Sequence, residues 1–138
     1  MKRKKPYGSL AWWSSVVLLL LLGFSASFGG LALILDPSGR TLGMSMAGLE
    51  GTYFPDYEVP GFILFFVLGI FSLVASVFVM MKNPYFATFI FIQGALLTGW
   101  ILVQVYLLPE THVLQLIYFF VGILLMLLGN LQKSKRAL

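Results

Sequence analysis

The segment Asp36–Gly61, DPSGRTLGMSMAGLEGTYFPDYEVPG, is the one long polar interruption in a chain that otherwise consists of four hydrophobic runs. It holds four of the five acidic residues, three of the six prolines and five of the fourteen glycines. Its first four residues have Asp first, Pro second and Gly fourth, which predicts a type I turn. Its last nine residues include three aromatic side chains. Because disordered linkers are poor in aromatic residues, we expect an ordered loop that caps the helix ends.

The hydrophobic runs on both sides of this loop are long enough to span a bilayer. We predict a single membrane domain over 1–138, with helices at about 12–35, 61–81, 85–108 and 113–131 and the loop at 36–60. Twenty residues of helix reach roughly 30 Å, the thickness of the hydrocarbon core. A backbone in hydrocarbon must satisfy its own hydrogen bonds, and no run alternates as a barrel strand does. The sequence therefore predicts an all-α bundle of four transmembrane helices.

The first run also has features of a cleaved signal peptide. Its basic start and the small residues Ser25, Ala26 and Ser27 are typical of one. Hydrophobicity resumes at Phe28 and continues to Leu35. We therefore expect an uncleaved first helix.

Composition excludes several classes of protein. The 138 residues are 59% hydrophobic and 10% charged, whereas soluble domains carry roughly 25% charged residues. The absence of cysteine excludes thiolate metal sites and thiol enzymes of the DsbB or vitamin-K-reductase type. No aspartate, glutamate, lysine, arginine or histidine lies within a predicted span, which argues against a self-contained proton-coupled transporter or voltage-gated channel.

The distribution of charge predicts the orientation. One side of a four-span topology holds eight basic residues: Lys2, Arg3, Lys4, Lys5, Lys82, Lys133, Lys135 and Arg136. The other side holds only Arg40. We predict a location in the cell (inner) membrane. The positive-inside rule then places both termini in the cytoplasm and the loop on the outer side of that membrane. The net charge of +4 does not indicate nucleic-acid binding, since the basic tails suit anionic membrane lipid.

Small residues recur within the runs at spacings that let helix backbones approach closely. We predict that the helix-packing positions are Gly23, Ser27, Gly30, Ser72, Ser76, Gly94 and Thr98. They can pack within one bundle, or against a partner membrane subunit or a second copy of the chain. The spacing alone does not separate these alternatives.

Polar side chains form stripes on the last two helices. Gln93, Trp100 and Gln104 lie within about 40° of one another on the third helix, and Gln115 and Tyr118 share a stripe of the fourth. In one interpretation these groups hydrogen-bond between helices. In the other they line an outer-half pocket beneath the loop for a lipid-like or quinone-like ligand. The candidate ligand-binding residues are Trp100, Gln104, Gln115, Tyr118, Ser27 and Tyr57.

The sequence offers little support for catalysis. The acidic residues match no metal-binding loop, and one histidine does not make a zinc site of usual composition. We expect a solvated acidic face, with no metal, no cofactor and no catalytic residue.

Three motifs of the loop carry a resemblance: D-P-S-G at 36–39, L-G-M at 42–44 and F-P-D-Y-E-V-P-G at 54–61. With G-W-I-L-V-Q-V at 99–105, Gln115 and Tyr118, the chain resembles a family of small, uncharacterised bacterial membrane proteins with four helices. The resemblance covers about three-quarters of the chain. More loosely, the layout is similar to DoxX-like four-helix proteins, some of which are associated with quinone-linked oxidoreductases.

Together these features favour a non-enzymatic membrane protein, either an accessory subunit or a self-associating scaffold. A binder or carrier of a lipid-like or quinone-like ligand is the alternative. A membrane enzyme has the least support, because no nucleophile, metal-ligand set or thiol pair is visible in the sequence.

Overall fold

The computed structural model describes residues 9–40, 55–107 and 113–137, with residues 107, 114 and 134–137 described by their backbone alone. Within these ranges the chain forms four helices and no strand: α1 (Leu10–Leu35), α2 (Glu58–Met80), α3 (Phe86–Leu107) and α4 (Val113–Ala137). Each helix contains a segment long and apolar enough to cross a membrane. The predicted all-α bundle of four helices is confirmed.

The helix ends differ from the predicted ones mainly at α4. This helix continues six residues beyond the predicted end at 131, so Gln132 belongs to the bundle and not to a polar tail. At the other end of the chain, Ser9 caps α1, its hydroxyl accepting a hydrogen bond from the Trp12 backbone N–H at 3.2 Å. Two ends of the bundle can then be defined. The terminal end holds the start of α1 and the end of α4, and the loop end holds the 36–60 loop.

Helices α1 and α2 pack backbone to backbone along a line of glycines, here called the first glycine seam. A methyl group added at Gly30 would lie 2.5 Å from the backbone nitrogen of Phe65, and one at Gly61 would lie 2.8 Å from Cβ of Leu33. Nearer the terminal end, Gly69 meets Ser27 and Gly23 meets Leu73. Absence of a side chain at these glycines is what permits the close approach.

Helices α3 and α4 form a second glycine seam. A methyl group at Gly94 would lie 2.6 Å from the carbonyl oxygen of Gly122, and one at Gly129 would lie 2.6 Å from the backbone nitrogen of Phe91. Gly122 in turn faces the hydroxyl of Thr98. Of the predicted packing residues, Gly94 and Thr98 lie on this seam, and Gly23, Ser27 and Gly30 lie on the first.

The two helix pairs meet around a shared apolar core. Helix α1 also packs on α4, and α3 also packs on α2, so the helices form a ring in chain order. The core residues with no more than 1% exposure are Leu19, Leu68, Ala75, Val79, Phe86, Ile90, Leu97 and Leu125. Ser72 and Ser76 of α2 are buried beside this core, each donating its hydroxyl to a carbonyl of its own helix.

Helix α2 is not a regular α-helix throughout. Residues Ile63–Ile70 form a π-helical stretch between two α-helical ones. Positions 61, 65, 69 and 73 of α2 lie on the first glycine seam, a repeat of four residues. On an α-helix such a repeat drifts by about 40° per step. The wider turn of a π-helix opposes this drift, which keeps the seam on one face of α2.

The described parts of the loop are residues 36–40 and 55–57. The predicted turn at Asp36 is present, since the Gly39 N–H donates to the Asp36 carbonyl at 3.1 Å and Gly39 has φ 81°. The Tyr57 N–H donates to the Pro37 carbonyl at 2.9 Å, which joins the two halves of the loop. The rest of the loop that we expect to cap the helix ends, residues 41–54, lies outside the described residues.

Candidate functional site

Two hydrogen bonds organise the polar residues of the loop-end half. The Gln115 amide donates to Gln104 Oε1 at 3.1 Å, which joins the start of α4 to the end of α3. The Tyr118 hydroxyl donates to Ser25 Oγ at 2.9 Å, and Ser25 donates on to the Leu22 carbonyl. Three of the candidate ligand-binding residues are therefore hydrogen-bonded between helices.

Two further candidates, Trp100 and Ser27, have buried polar atoms outside this cluster. The indole nitrogen of Trp100 is buried and has no hydrogen-bond partner, while the ring packs against the apolar core. The Ser27 hydroxyl is likewise buried without a partner, and it faces Gly69 on the first glycine seam. A buried donor without a partner costs about 1–3 kcal/mol.

Tyr57 lies at the loop end, immediately before α2. It is 4% exposed, and burial raises the pKa of its phenol above the usual value. The Asp56 carboxylate accepts from the Glu58 N–H at 2.9 Å, so an acidic side chain meets the start of α2. Tyr57 thus belongs to the anchored base of the loop.

One open groove, with a volume of about 230 Å³, is lined by Phe28, Leu31, Ala32 and Leu35 on the loop-end half of α1. A larger groove, of about 270 Å³, opens sideways between α1 and α4 and is lined by Leu18, Leu21, Leu22, Ser25, Ile117, Tyr118 and Val121. Enclosed small-molecule pockets usually measure roughly 300–1,000 Å³. This groove is smaller and its lining is nearly all apolar. Tyr118 is the one candidate ligand-binding residue that lines it.

Gln93 joins α3 to the π-helical stretch of α2. The Phe71 N–H donates to the Phe66 carbonyl, five residues back. Where bonds that span five residues change to bonds that span four, one carbonyl receives no backbone N–H donor. Here that carbonyl belongs to Val67 or Leu68. The Gln93 amide nitrogen lies 3.1 Å and 3.3 Å from these two oxygens and also donates to Ser72 Oγ. Gln93 therefore adds a donor from α3 at the end of the π-helical stretch, where the Leu68 carbonyl also accepts from the Ser72 hydroxyl.

Gln132 makes the matching connection at the terminal end. Its amide nitrogen donates to Ser15 Oγ of α1 at 2.9 Å and to the Leu128 carbonyl at 3.1 Å. It is 1% exposed. Because the predicted fourth helix ends at 131, the sequence analysis assigns Gln132 to the polar tail and not to the bundle. Its spacing of seven from Leu125, which is fully buried, was the available signal.

The described charges divide between the two ends. Three acidic residues, Asp36, Asp56 and Glu58, lie at the loop end together with Arg40, and Lys82 and Lys133 lie at the terminal end. Within the described residues no three histidine, cysteine or acidic side chains form a group that could hold a metal ion. Glu50 and Glu110, the other two acidic residues of the chain, lie outside those residues.

Comparison with known proteins gave no match to a family model, to a curated protein or to a solved structure.

Proposed function

We propose that this chain is a non-enzymatic integral membrane protein that acts as an accessory subunit or a self-associating scaffold. One observation carries the proposal: each of the four glutamines hydrogen-bonds across a helix–helix interface. The amides of the bundle are thus engaged in holding helices together. The outward faces present large apolar side chains, which suit lipid or another helix.

The proposed setting is a bacterial inner membrane with both termini in the cytoplasm. The eight-to-one division of basic residues supports this orientation, and the loop motifs support the kinship with small bacterial four-helix proteins. A cysteine introduced at Ser38 should react with an impermeant reagent in intact cells. A cysteine at Pro84, which is exposed in the turn beyond the far end of α2, should react only after permeabilisation. The reverse pattern would invert the proposed topology.

Partner contact can be tested with single cysteines, because the chain has none of its own. Leu96 is 39% exposed on α3, and its neighbour Leu97 is 1% exposed. We expect a cysteine on an apolar outer face (at Leu96, Phe24 or Phe120) to cross-link in native membranes to a second copy or a stoichiometric partner. A cysteine at Leu97 is the matched control and should not cross-link. Absence of cross-linking at all three exposed positions, with a monomer in gentle detergent, would contradict the accessory role.

A second candidate function is the binding or carriage of a lipid-like or quinone-like ligand. The observation that favours it is the groove between α1 and α4, where two hydroxyls sit on an apolar wall. Only the long tail of such a ligand suits a lining this apolar. Native mass spectrometry of protein in lipid nanodiscs should detect a retained molecule. Val121→Trp should displace it, while Leu124→Trp, at an exposed α4 position outside the groove lining, should not.

A further inference from the structure

Lys82 has an unusual backbone conformation. Among the described residues it is the one non-glycine residue with positive φ, at 58°. The Lys82 N–H donates to the Val79 carbonyl and the Asn83 N–H donates to the Phe78 carbonyl, both at 3.0 Å. This pair of bonds ends α2 in a Schellman motif, with Lys82 in the left-handed position that glycine or asparagine normally occupies.

No backbone requirement explains a lysine in this position. A left-handed conformation costs an L-residue with a side chain free energy that glycine avoids, and asparagine tolerates it better than lysine. The next residue is asparagine, but it follows the left-handed position and does not occupy it. The property that lysine adds here is a positive charge on a long side chain.

The surroundings of Lys82 are those of a membrane surface. Met81 and Tyr85 flank it and are each 69% exposed, an apolar and an amphipathic side chain on either side of the exposed lysine. Tyrosine favours the level of the headgroups. The terminal end also holds Lys133, and its described part contains no acidic residue. In the sequence, the two terminal tails add further basic residues to this side.

We propose that the turn at Met81–Tyr85 is a binding site for the headgroup of an anionic phospholipid, with Lys82 contacting its phosphate. Met81 enters the acyl-chain region and Tyr85 lies at the interface. The turn places the Lys82 backbone just beyond the end of α2, from which its exposed side chain can reach the headgroups, and anionic lipid offsets the conformational cost. The inference goes beyond the accessory role and requires only that the bundle spans a membrane.

The test compares Lys82→Asn with Lys82→Arg in nanodiscs of phosphatidylcholine with and without phosphatidylglycerol. Asparagine removes the charge and suits the left-handed conformation, whereas arginine keeps the charge. Native mass spectrometry should show about fivefold weaker retention of phosphatidylglycerol by the asparagine variant and little change for arginine. Lys133→Gln, which removes a charge of the same end from a regular helix, should weaken retention less.

A second measurement separates binding from folding. In neutral detergent without anionic lipid, Lys82→Asn should unfold at a temperature equal to or above that of the parent chain, because the turn is relieved. Added phosphatidylglycerol should raise the unfolding temperature of the parent more than that of the variant. Equal retention by all the variants would overturn the proposal, and so would a lower unfolding temperature of Lys82→Asn in detergent.

Discussion

The bundle contains two kinds of helix–helix contact, and they differ in what joins the helices. Within each pair of sequence neighbours, α1 with α2 and α3 with α4, glycines let backbone meet backbone. Between the pairs, Gln93, Gln132 and Tyr118 reach across to α2 and α1. Lipid tails are as apolar as the helices, so close packing and interhelical hydrogen bonds must hold a bundle together. The two glycine seams rely on close packing, and the contacts between the helix pairs add interhelical hydrogen bonds.

The largest effect should come from filling a glycine seam. Gly94→Val would place methyl groups against the Gly122 carbonyl, a backbone atom that cannot move without α4. We expect a loss of about 3 kcal/mol in the free energy of unfolding, measured by titration with denaturing detergent. Gly99→Val is the matched control, because a side chain at Gly99 meets nothing within 4 Å. Equal effects of the two changes would show that the seam is not closely packed.

Removing Gln93 should be the next largest change. Gln93→Leu removes the donor that α3 supplies to the Val67 and Leu68 carbonyls, which should cost about 2 kcal/mol. In a double-mutant cycle with Ser72→Ala, the coupling should be about 1 kcal/mol. An infrared spectrum with a labelled Val67 carbonyl should shift toward the position of a free carbonyl. An unshifted band would mean that another donor serves this oxygen.

The connection at the terminal end should contribute less. Gln132→Leu removes the hydrogen bond to Ser15, and we expect about 1 kcal/mol of destabilisation in the same titration. Asn130 lies two residues earlier on the same helix and is exposed, so Asn130→Leu is the control and should be nearly neutral. If both changes had the same effect, Gln132 would not join the two helix pairs.

The pair at the loop end should be weaker still. Gln104 is only half-buried, and its bond to Gln115 joins helices that the second glycine seam already holds. Gln104→Leu should therefore cost about 0.5 kcal/mol in the same detergent titration. A cost as large as that of Gln93→Leu would indicate that the Gln104 site does more than hold two helices.

The smallest effect concerns Tyr57, which belongs to neither kind of contact. Because burial raises its pKa, the folded protein holds this proton more tightly than the unfolded chain does. Any stability linked to the proton is complete below the unfolded pKa of about 10 and is lost as pH rises through the folded pKa. Tyr57→Phe should flatten the decline in stability between about pH 9 and 11. An identical decline in both proteins would assign it to other groups.

The sequence predicted most of the fold and only part of the candidate site. Hydrophobic runs of helical length are sufficient to locate four spans, because a backbone in hydrocarbon has few alternatives. The π-helix left no comparable signal, since its residues are uniformly apolar and its cause lies in the packing of α2 on α1. For the same reason the sequence does not predict Gly61, Gly69 and Gly129 as helix-packing positions, because their role depends on which helix lies opposite.

The polar residues show the limit in another way. Periodicity placed Gln93, Trp100 and Gln104 on one stripe of α3, yet these side chains have three different environments. Residues on one stripe point to the same side of the helix. The hydrogen-bond partner of each residue depends on its position along the helix axis. The predicted pocket beneath the loop therefore stays a hypothesis, and Tyr118 is the one candidate ligand-binding residue that lines the groove between α1 and α4.

The division between the two kinds of contact also bears on how the chain is made. Each glycine seam joins helices that leave the ribosome one after the other, so α1 and α2 have their full contact surface before α3 is translated. The donor that α3 supplies to α2 comes later. Gln93, which contacts the Val67 and Leu68 carbonyls of α2, is translated only with α3, and Ser15 receives the Gln132 amide only when synthesis is nearly complete. The first hairpin thus enters the bilayer with acceptors still open, and the second hairpin arrives carrying their donors.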